Sequence, residues 1–421
     1  MKPYEALISN QPDGLESLPS WVVVLIVALI VVAAASTKLA GLLFFIFLAL
    51  GAWLAWSRPI VYVDSLLIRD WVFIAAAALA MRVASTVIWS DSWGGRHFDG
   101  RFFLMALAGW AIVRRCVLSG HHKKWITHAL AMSCWVALGV VLVVGRDTPT
   151  NALPWAAGVS FMVCVLLGRV FDAAALFAHR LAWLLGSFAG SAAVLLSQSR
   201  GSYGIVVWVL LLILVGLWRL FRRYGQAAFW RPFAAVSGLI VVALLLQPRL
   251  VSDPLDRIQV AVREATRLTA AVQIGQVTPK ELDTSVGARL YMWIQAADVL
   301  DDRWAVGVGQ RQRQAWVKKL GEQTGSEVIS SLDHLHSDPL TIWFEHGLLG
   351  LGSYLAVALG LLWLSWRARL RGLGLALGLG GLALMHITAG LTNFNTIHNF
   401  YGIMLSSCTL LAFWLSSTLR K

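Results

Sequence analysis

Residues 342–366 read IWFEHGLLGLGSYLAVALGLLWLSW. About 20 mostly apolar residues cross the hydrocarbon core of a bilayer as a helix, and this run exceeds that length. Directly before it stands DHLHSDPLT, residues 333–341, which sets two histidines and two aspartates against the mouth of the span. The longer stretch sets the fold class. The shorter one asks what chemistry is done at a membrane surface.

Composition extends the first reading to the whole chain. The 421 residues are 58% hydrophobic and 14% charged, whereas a soluble domain carries about 25% charged residues. Twelve apolar runs follow one another, near 20–36, 38–56, 67–90, 101–118, 124–145, 153–171, 177–197, 203–221, 233–247, 340–364, 372–390 and 397–418. The expected fold is an all-α polytopic membrane protein with about 12 transmembrane helices and one large, partly helical loop. Many of the 21 Trp lie near the ends of these runs, as in AWLAWSRP and FWLSS, where an aromatic belt belongs.

The net charge of +13 is clustered. Thirteen Lys and Arg, with no acid among them, fall in four stretches: VRRCVLSGHHKKW (113–125), WRLFRRYGQAAFWRP (218–232), SWRARLRG (365–372) and the terminal LRK. With twelve spans all four lie on one side, together with both termini, and the positive-inside rule makes that side cytoplasmic. This clustering speaks against a nucleic-acid-binding surface. The opposite face carries residues 90–101, 144–151, 197–204, 248–339 and 392–399.

Three units are expected: an N-terminal bundle of nine spans (1–247), an extramembrane loop (248–339) and a C-terminal bundle of three spans (340–421). The loop holds 11 Lys/Arg and 12 Asp/Glu, near neutral, as suits a translocated segment. It contains two helix candidates. One is DPLDRIQVAVREATRLTAAV, with its Asp-Pro start, and the other is TSVGARLYMWIQAADVL, after which Gly307 and Gly309 interrupt. The glycine-rich LRGLGLALGLGGLALMHITAG (370–390) suits close helix packing. Cys116, Cys134, Cys164 and Cys408 lie in or beside apolar runs without CxxC spacing, so neither a disulfide framework nor a cysteine metal site is indicated. The polar N-terminus lacks the basic region of a signal peptide and is expected to be retained.

In DHLHSDPLT, the residue before a proline is pushed out of the α region while proline favours the first helical position. Asp338 is therefore expected as N-cap and Pro339 as the first residue of span ten. That places His336 just outside the helix, near a positive helix N-terminus that favours a neutral imidazole, the form a general base needs. The competing reading is metal binding, because His-x-His-x-Asp is also a ligand run; no further ligand is evident, with His346 along the helix and His398 on another loop. Arg200, in SQSRGSYG, is either a snorkelling interfacial arginine or the partner of an anionic substrate group. Arg289, opening ARLYMW, either pairs with an acid of the loop or binds phosphate bidentately. Lys38 and Arg146 are further cations on the same face. Arg82 and Arg169, in or near spans, are either ion-paired or part of a cavity.

In this order, SRGSYG at the start of a span, SVGARLYMWIQAADVLDDRWAVGVG in a large loop, and HLHSDPLTIWFEHGLLGLGSYL entering the next span resemble the O-antigen ligase superfamily. That superfamily includes O-antigen polymerases and bacterial protein O-oligosaccharyltransferases. Ser337 and Trp304 depart from the family pattern, which often has Asn and Pro there. The resemblance implies a helical membrane bundle of the lipid-linked glycosyltransferase (GT-C-like) type, with no metal or other cofactor. It implies His336, Arg289 and Arg200 as the catalytic positions; Lys38 and Arg146, from their place on the same face, are added as lower-ranked pyrophosphate-binding residues. As an O-antigen ligase, the protein would sit in the bacterial inner membrane with a periplasmic active site. It would move O-antigen from undecaprenyl pyrophosphate to lipid A–core. Protein oligosaccharyltransferases usually carry an added domain after the last span, which disfavours that relative here. A polymerase is harder to separate from a ligase, and a transporter or flippase would predict symmetry between halves that the single large loop breaks.

Overall fold

A computed structural model describes residues 18–60, 66–89, 98–171, 176–212, 214–216 and 249–417 of the chain. Among these residues the secondary structure is helical, with no strand. Seven helices precede the central turn: α1 (Ser20–Val32), α2 (Thr37–Ser57), α3 (Leu66–Ile88), α4 (Phe98–Arg115), α5 (Gly120–Val144), α6 (Ala152–Val170) and α7 (Phe177–Leu196). After the 3₁₀ turn Arg200–Ser202 comes α8 (Gly204–Gly216). The polar segment folds as α9 (Arg249–Gln273), α10 (Pro279–Leu282), α11 (Ser285–Arg303), α12 (Gln310–Thr324) and α13 (Glu327–Ser330). The last three are α14 (Asp338–Ala368), α15 (Leu373–Thr392) and α16 (Asn399–Ser416).

Among the described residues eight helices, α2, α3, α5, α6, α7, α14, α15 and α16, are long and apolar enough to cross a membrane. The chain is an all-α polytopic membrane protein. α1 is apolar but shorter, α8 is apolar over Gly204–Gly216, where the described residues stop, and α4 carries Asp99, Arg101, Arg114 and Arg115 within its 18 residues. The expected ninth run, 233–247, lies outside the described residues. The starts of α2, α5, α6, α11 and α13 are capped by short polar side chains, which satisfy unpaired N–H groups there. Ser119 accepts from the His122 amide at 3.1 Å and Asn151 from the Leu153 amide at 3.0 Å. Large apolar side chains such as Trp21, Phe45, Phe73 and Leu359 stay on the outside of the bundle, an arrangement suited to lipid rather than water.

The inner layer is formed by α6, α15 and α16, with α14 between α15 and α3, α4 against α3 and α16, and α7 between α5 and α6. The glycine-rich run forms α15. The N-terminus of α6 lies with that of α16, since Gly158 faces Phe400, and with the α1–α2 turn, since Trp155 Nε1–H donates to the Ala34 carbonyl at 2.8 Å. At the other end, Trp414 Nε1–H donates to the Cys116 carbonyl, Lys123 to the Ser417 carbonyl, and Gly168 faces Gly374. The two described basic stretches, 113–125 and 365–372, therefore share this end, opposite the α15–α16 loop.

The polar segment has its own apolar core, with Leu268, Met292, Leu300, Val317, Leu320 and Ile329 packed together with Phe344 of α14. α11 spans the second helix candidate. α9 is already helical at Arg249, before the expected Asp253-Pro254 start. Pro254 therefore lies within the helix, where it removes one ladder bond and leaves the helix intact.

α14 is broken. Gly347 has φ 58° and ψ −149°, which separates a short piece, 338–346, from the span proper, 348–368, about 31 Å long at 1.5 Å per residue. The freed backbone groups are taken up by the segment after α11. Val308 and Gly309 amides donate to the Phe344 and Glu345 carbonyls, each at 2.8 Å, and the Leu348 amide donates to the Ala305 carbonyl at 3.0 Å. Trp343 and Trp89 indoles clamp the same segment by donating to the Trp304 and Val306 carbonyls at 2.8 Å and 2.7 Å. The VGVG stretch is thus a backbone splint in a broken helix, as buried non-helical backbone at membrane depth must be.

Candidate functional site

Distant parts of the chain meet where α15 ends. Thr392 is its last residue, and the loop 393–398 returns the chain to α16. The turn Arg200–Ser202 packs here: Gly201 lies so close to Thr392 that a Cβ would collide with its hydroxyl. From the polar segment, Arg289 donates to the Thr392 carbonyl at 3.3 Å, a favourable place for a cation because helix C-termini are negative. The His-run arrives from the third direction. Trp293, one turn after Arg289 on α11, donates its indole N–H to the Leu335 carbonyl at 2.7 Å and so ties α11 to that run. His336 Nδ1 lies 3.1 Å from Asn393 Oδ1.

His336 has φ 53°, a left-handed backbone that only constrained non-glycine residues keep. Its amide donates to His334 Nδ1 at 3.1 Å, the two rings being 4.0 Å apart. On the other side, Asp338 is gripped by the loop. Its amide donates to the Asn393 carbonyl at 3.1 Å, and its Oδ1 accepts from the Thr396 amide at 2.9 Å and hydroxyl at 2.6 Å. The expected capping arrangement is corrected here. Ser337 occupies the N-cap position, while Asp338 and Pro339 both lie in the first turn. The Asp338 carboxylate turns to the two Thr396 donors instead of its own helix, locking the α15–α16 loop to the start of α14.

Within the His-x-His-x-Asp run the two histidines engage each other while Asp338 turns to Thr396, and among the described residues no group of three or more His, Cys, Asp or Glu side chains is arranged to hold a metal ion. Burial and then the Arg289 charge pull the His336 pKa down to about 4, against the Asn393 hydrogen bond and Asp333, which raise it. His334 is pulled to about 3, chiefly by burial and by His336 beside it. Both imidazoles are therefore neutral near pH 7. A neutral base and a guanidinium held together can remove a proton while stabilising a departing anion.

The structure brings Arg289, His336 and the backbone of Arg200 to one place. Lys38, in the first turn of α2, and Arg146, in the α5–α6 turn, are exposed at the same end of the bundle, and no contact among the described residues joins them to this cluster. Arg82 is ion-paired to Asp99 at 2.9 Å, both buried, and Arg169 donates to the Leu415 carbonyl at the opposite end. Sequence reasoning gave no role to Asn393, Asn395, Thr396 or Arg101, which donates to Asn399 Oδ1 at 2.6 Å. The available signal was TNFNTIHN itself, a polar run directly after an apolar span.

Residues 185–355 match the family model described as O-antigen ligase. The match takes in Arg200, Arg289 and His336 and stops before the α15–α16 loop. None of the curated proteins compared with the chain matches it.

Proposed function

We propose, from membership of the O-antigen ligase/polymerase superfamily that the match over residues 185–355 supports, that this chain is an O-antigen ligase. The family implies a glycosyltransferase-like activity in O-antigen processing, on lipid-linked polysaccharide. The finer reading is transfer of O-antigen from undecaprenyl pyrophosphate to a sugar hydroxyl of lipid A–core. The observation that carries it is the meeting of a neutral His336 with Arg289 and the Arg200 turn at Thr392–Asn393.

In the proposed reaction, the acceptor hydroxyl attacks the anomeric carbon from the face opposite the pyrophosphate, with inversion. His336 takes the hydroxyl proton as the new glycosidic bond forms. The bond from the anomeric carbon to the pyrophosphate oxygen breaks, and undecaprenyl pyrophosphate leaves with the bonding electrons. Arg289 and Arg200 stabilise that charge, as guanidinium groups are suited to do by bidentate contact. Lys38 and Arg146 draw the anionic donor toward this end of the bundle. No cofactor is required, because pyrophosphate is already a good leaving group. The polar segment 248–339 then faces the periplasm, and the basic ends with both termini face the cytoplasm of a bacterial inner membrane. The gathering of stretches 113–125 and 365–372 at the end opposite the site supports this orientation.

The test is reconstitution of purified protein with undecaprenyl-pyrophosphate glycan, with and without lipid A–core. A ligase makes product only when the acceptor is present. Chain extension from donor alone would overturn ligation in favour of polymerisation, and turnover of neither would favour a transporter.

A further inference from the structure

The hydrogen bonds behind His336 assign its proton. The Ala389 carbonyl can only accept, so the Asn395 group 2.8 Å from it is the amide Nδ2. Asn395 Oδ1 then faces Asn393, and Asn393 donates to it through Nδ2 at 2.9 Å. That leaves Asn393 Oδ1, an acceptor, facing His336 Nδ1 at 3.1 Å. Rotating either amide would set carbonyl oxygen against carbonyl oxygen, and with Asn393 and Asn395 only 3% and 1% exposed no bulk water can repair the clash. Nδ1 of His336 therefore carries the proton, and Nε2 keeps the lone pair. His334 is fixed the other way, since its Nδ1 accepts the His336 amide. Its proton sits on Nε2, which lies 3.7 Å from Asp333 Oδ1. Two adjacent histidines are held as opposite tautomers.

We propose that Asn393, held by Asn395, is a positioning residue that fixes the His336 proton on Nδ1 and leaves Nε2 as the atom that takes the acceptor proton. The device starts at a backbone carbonyl of α15 and runs through two amide side chains to the base. The left-handed His336 backbone brings the ring into line with it, and the Asp338–Thr396 contacts keep loop and helix in register. The inference rests on the reading of His336 as general base.

The test measures kcat, KM for the lipid-linked donor, and pH profiles on the full-length reconstituted protein. Asn393→Ala is expected to lower kcat about 100-fold, the lower end of what general-base catalysis supplies, with KM within about threefold of the native value. Asn393→Asp, combined with Asn395→Ala so that no amide oxygen faces the new carboxylate, keeps an acceptor for Nδ1–H and adds a charge that favours imidazolium. It is expected to retain turnover and to move the acidic limb of kcat/KM upward by about one unit or more. A native kcat in Asn393→Ala, or an unmoved acidic limb in the Asn393→Asp, Asn395→Ala variant, would overturn the proposal. A purely structural role would instead lower donor binding and thermal stability in both variants, with the limb in place. His336→Ala separates the two readings: if it still turns over, the general-base reading fails and this proposal with it. If it is inactive while Asn393→Ala is unimpaired, only the positioning role fails.

Discussion

Arg313 of α12 and Glu345 of α14 form an ion pair at 2.8 Å, with the two residues 1% and 2% exposed. This pair pins the polar segment to the short helical piece that precedes the break at Gly347. Removing one partner leaves the other charge buried. Glu345→Leu is expected to destabilise the protein by about 3–5 kcal/mol, read as a lowered Tm in detergent. The double variant Arg313→Met, Glu345→Leu should recover much of that loss. A single variant with unchanged Tm would contradict the role of the pair.

Gly347 supplies a second test of the splint. Its φ of 58° with ψ −149° is essentially closed to residues with a side chain, and a Cβ there would collide with the Ala305 carbonyl. Gly347→Ala should cost about 1–3 kcal/mol in backbone strain alone, before the collision is counted. Thermal unfolding is the readout, and native stability in this variant would show that the helix break is not required.

The pH dependence of transfer should differ between free enzyme and complex. In the free site, His336 has a pKa of about 4 because burial and the Arg289 charge disfavour imidazolium. The profile of kcat/KM, which reports the free enzyme, should therefore stay level well below pH 6.5 and fall as pH drops toward about 4. A bound pyrophosphate offsets Arg289 and moves the imidazole back toward its ordinary range, so donor binding strengthens the base. The acidic limb of kcat is expected at higher pH than that of kcat/KM. Coincident limbs would show that donor charge does not reach His336.

Arg289 should not tolerate replacement by lysine. An ammonium keeps the charge but loses the planar fork that bridges a phosphate while holding the Thr392 carbonyl. Arg289→Lys is expected to lose roughly 10-fold or more in kcat, and Arg289→Ala roughly 100-fold, comparable to losing one donor to a developing anion. Steady-state rates at saturating donor decide this, and a native rate in Arg289→Lys would point to simple charge attraction.

The periodic features of the fold could be read from residues alone. Length and apolarity place α2, α3, α5–α7 and α14–α16 as spans, and the TSVGAR run announces α11, whose start the structure caps with Thr284, accepting from Gly287 at 3.0 Å. What escaped depends on contacts between distant segments. Nothing local shows that Gly347 breaks α14, because the groups that make the break tolerable, Val308 and Gly309, lie some 40 residues earlier. Asp338 was read as a cap because Asp-Pro caps helices; Thr396, 58 positions away, offers it two donors. His336, Arg289 and Arg200 stood out because histidine and arginine carry recognisable chemistry. Asn393 and Asn395 did not, because a neutral amide next to a span looks like an ordinary loop residue until its partners are seen.

The most direct test of the account is single-turnover transfer by His336→Ala, with labelled undecaprenyl-pyrophosphate glycan bound and lipid A–core in excess. The account predicts donor affinity within about threefold of native, since His336 is neutral and contributes no charge to pyrophosphate binding, and no glycan transferred to the acceptor. Transfer by His336→Ala at the native rate would contradict it.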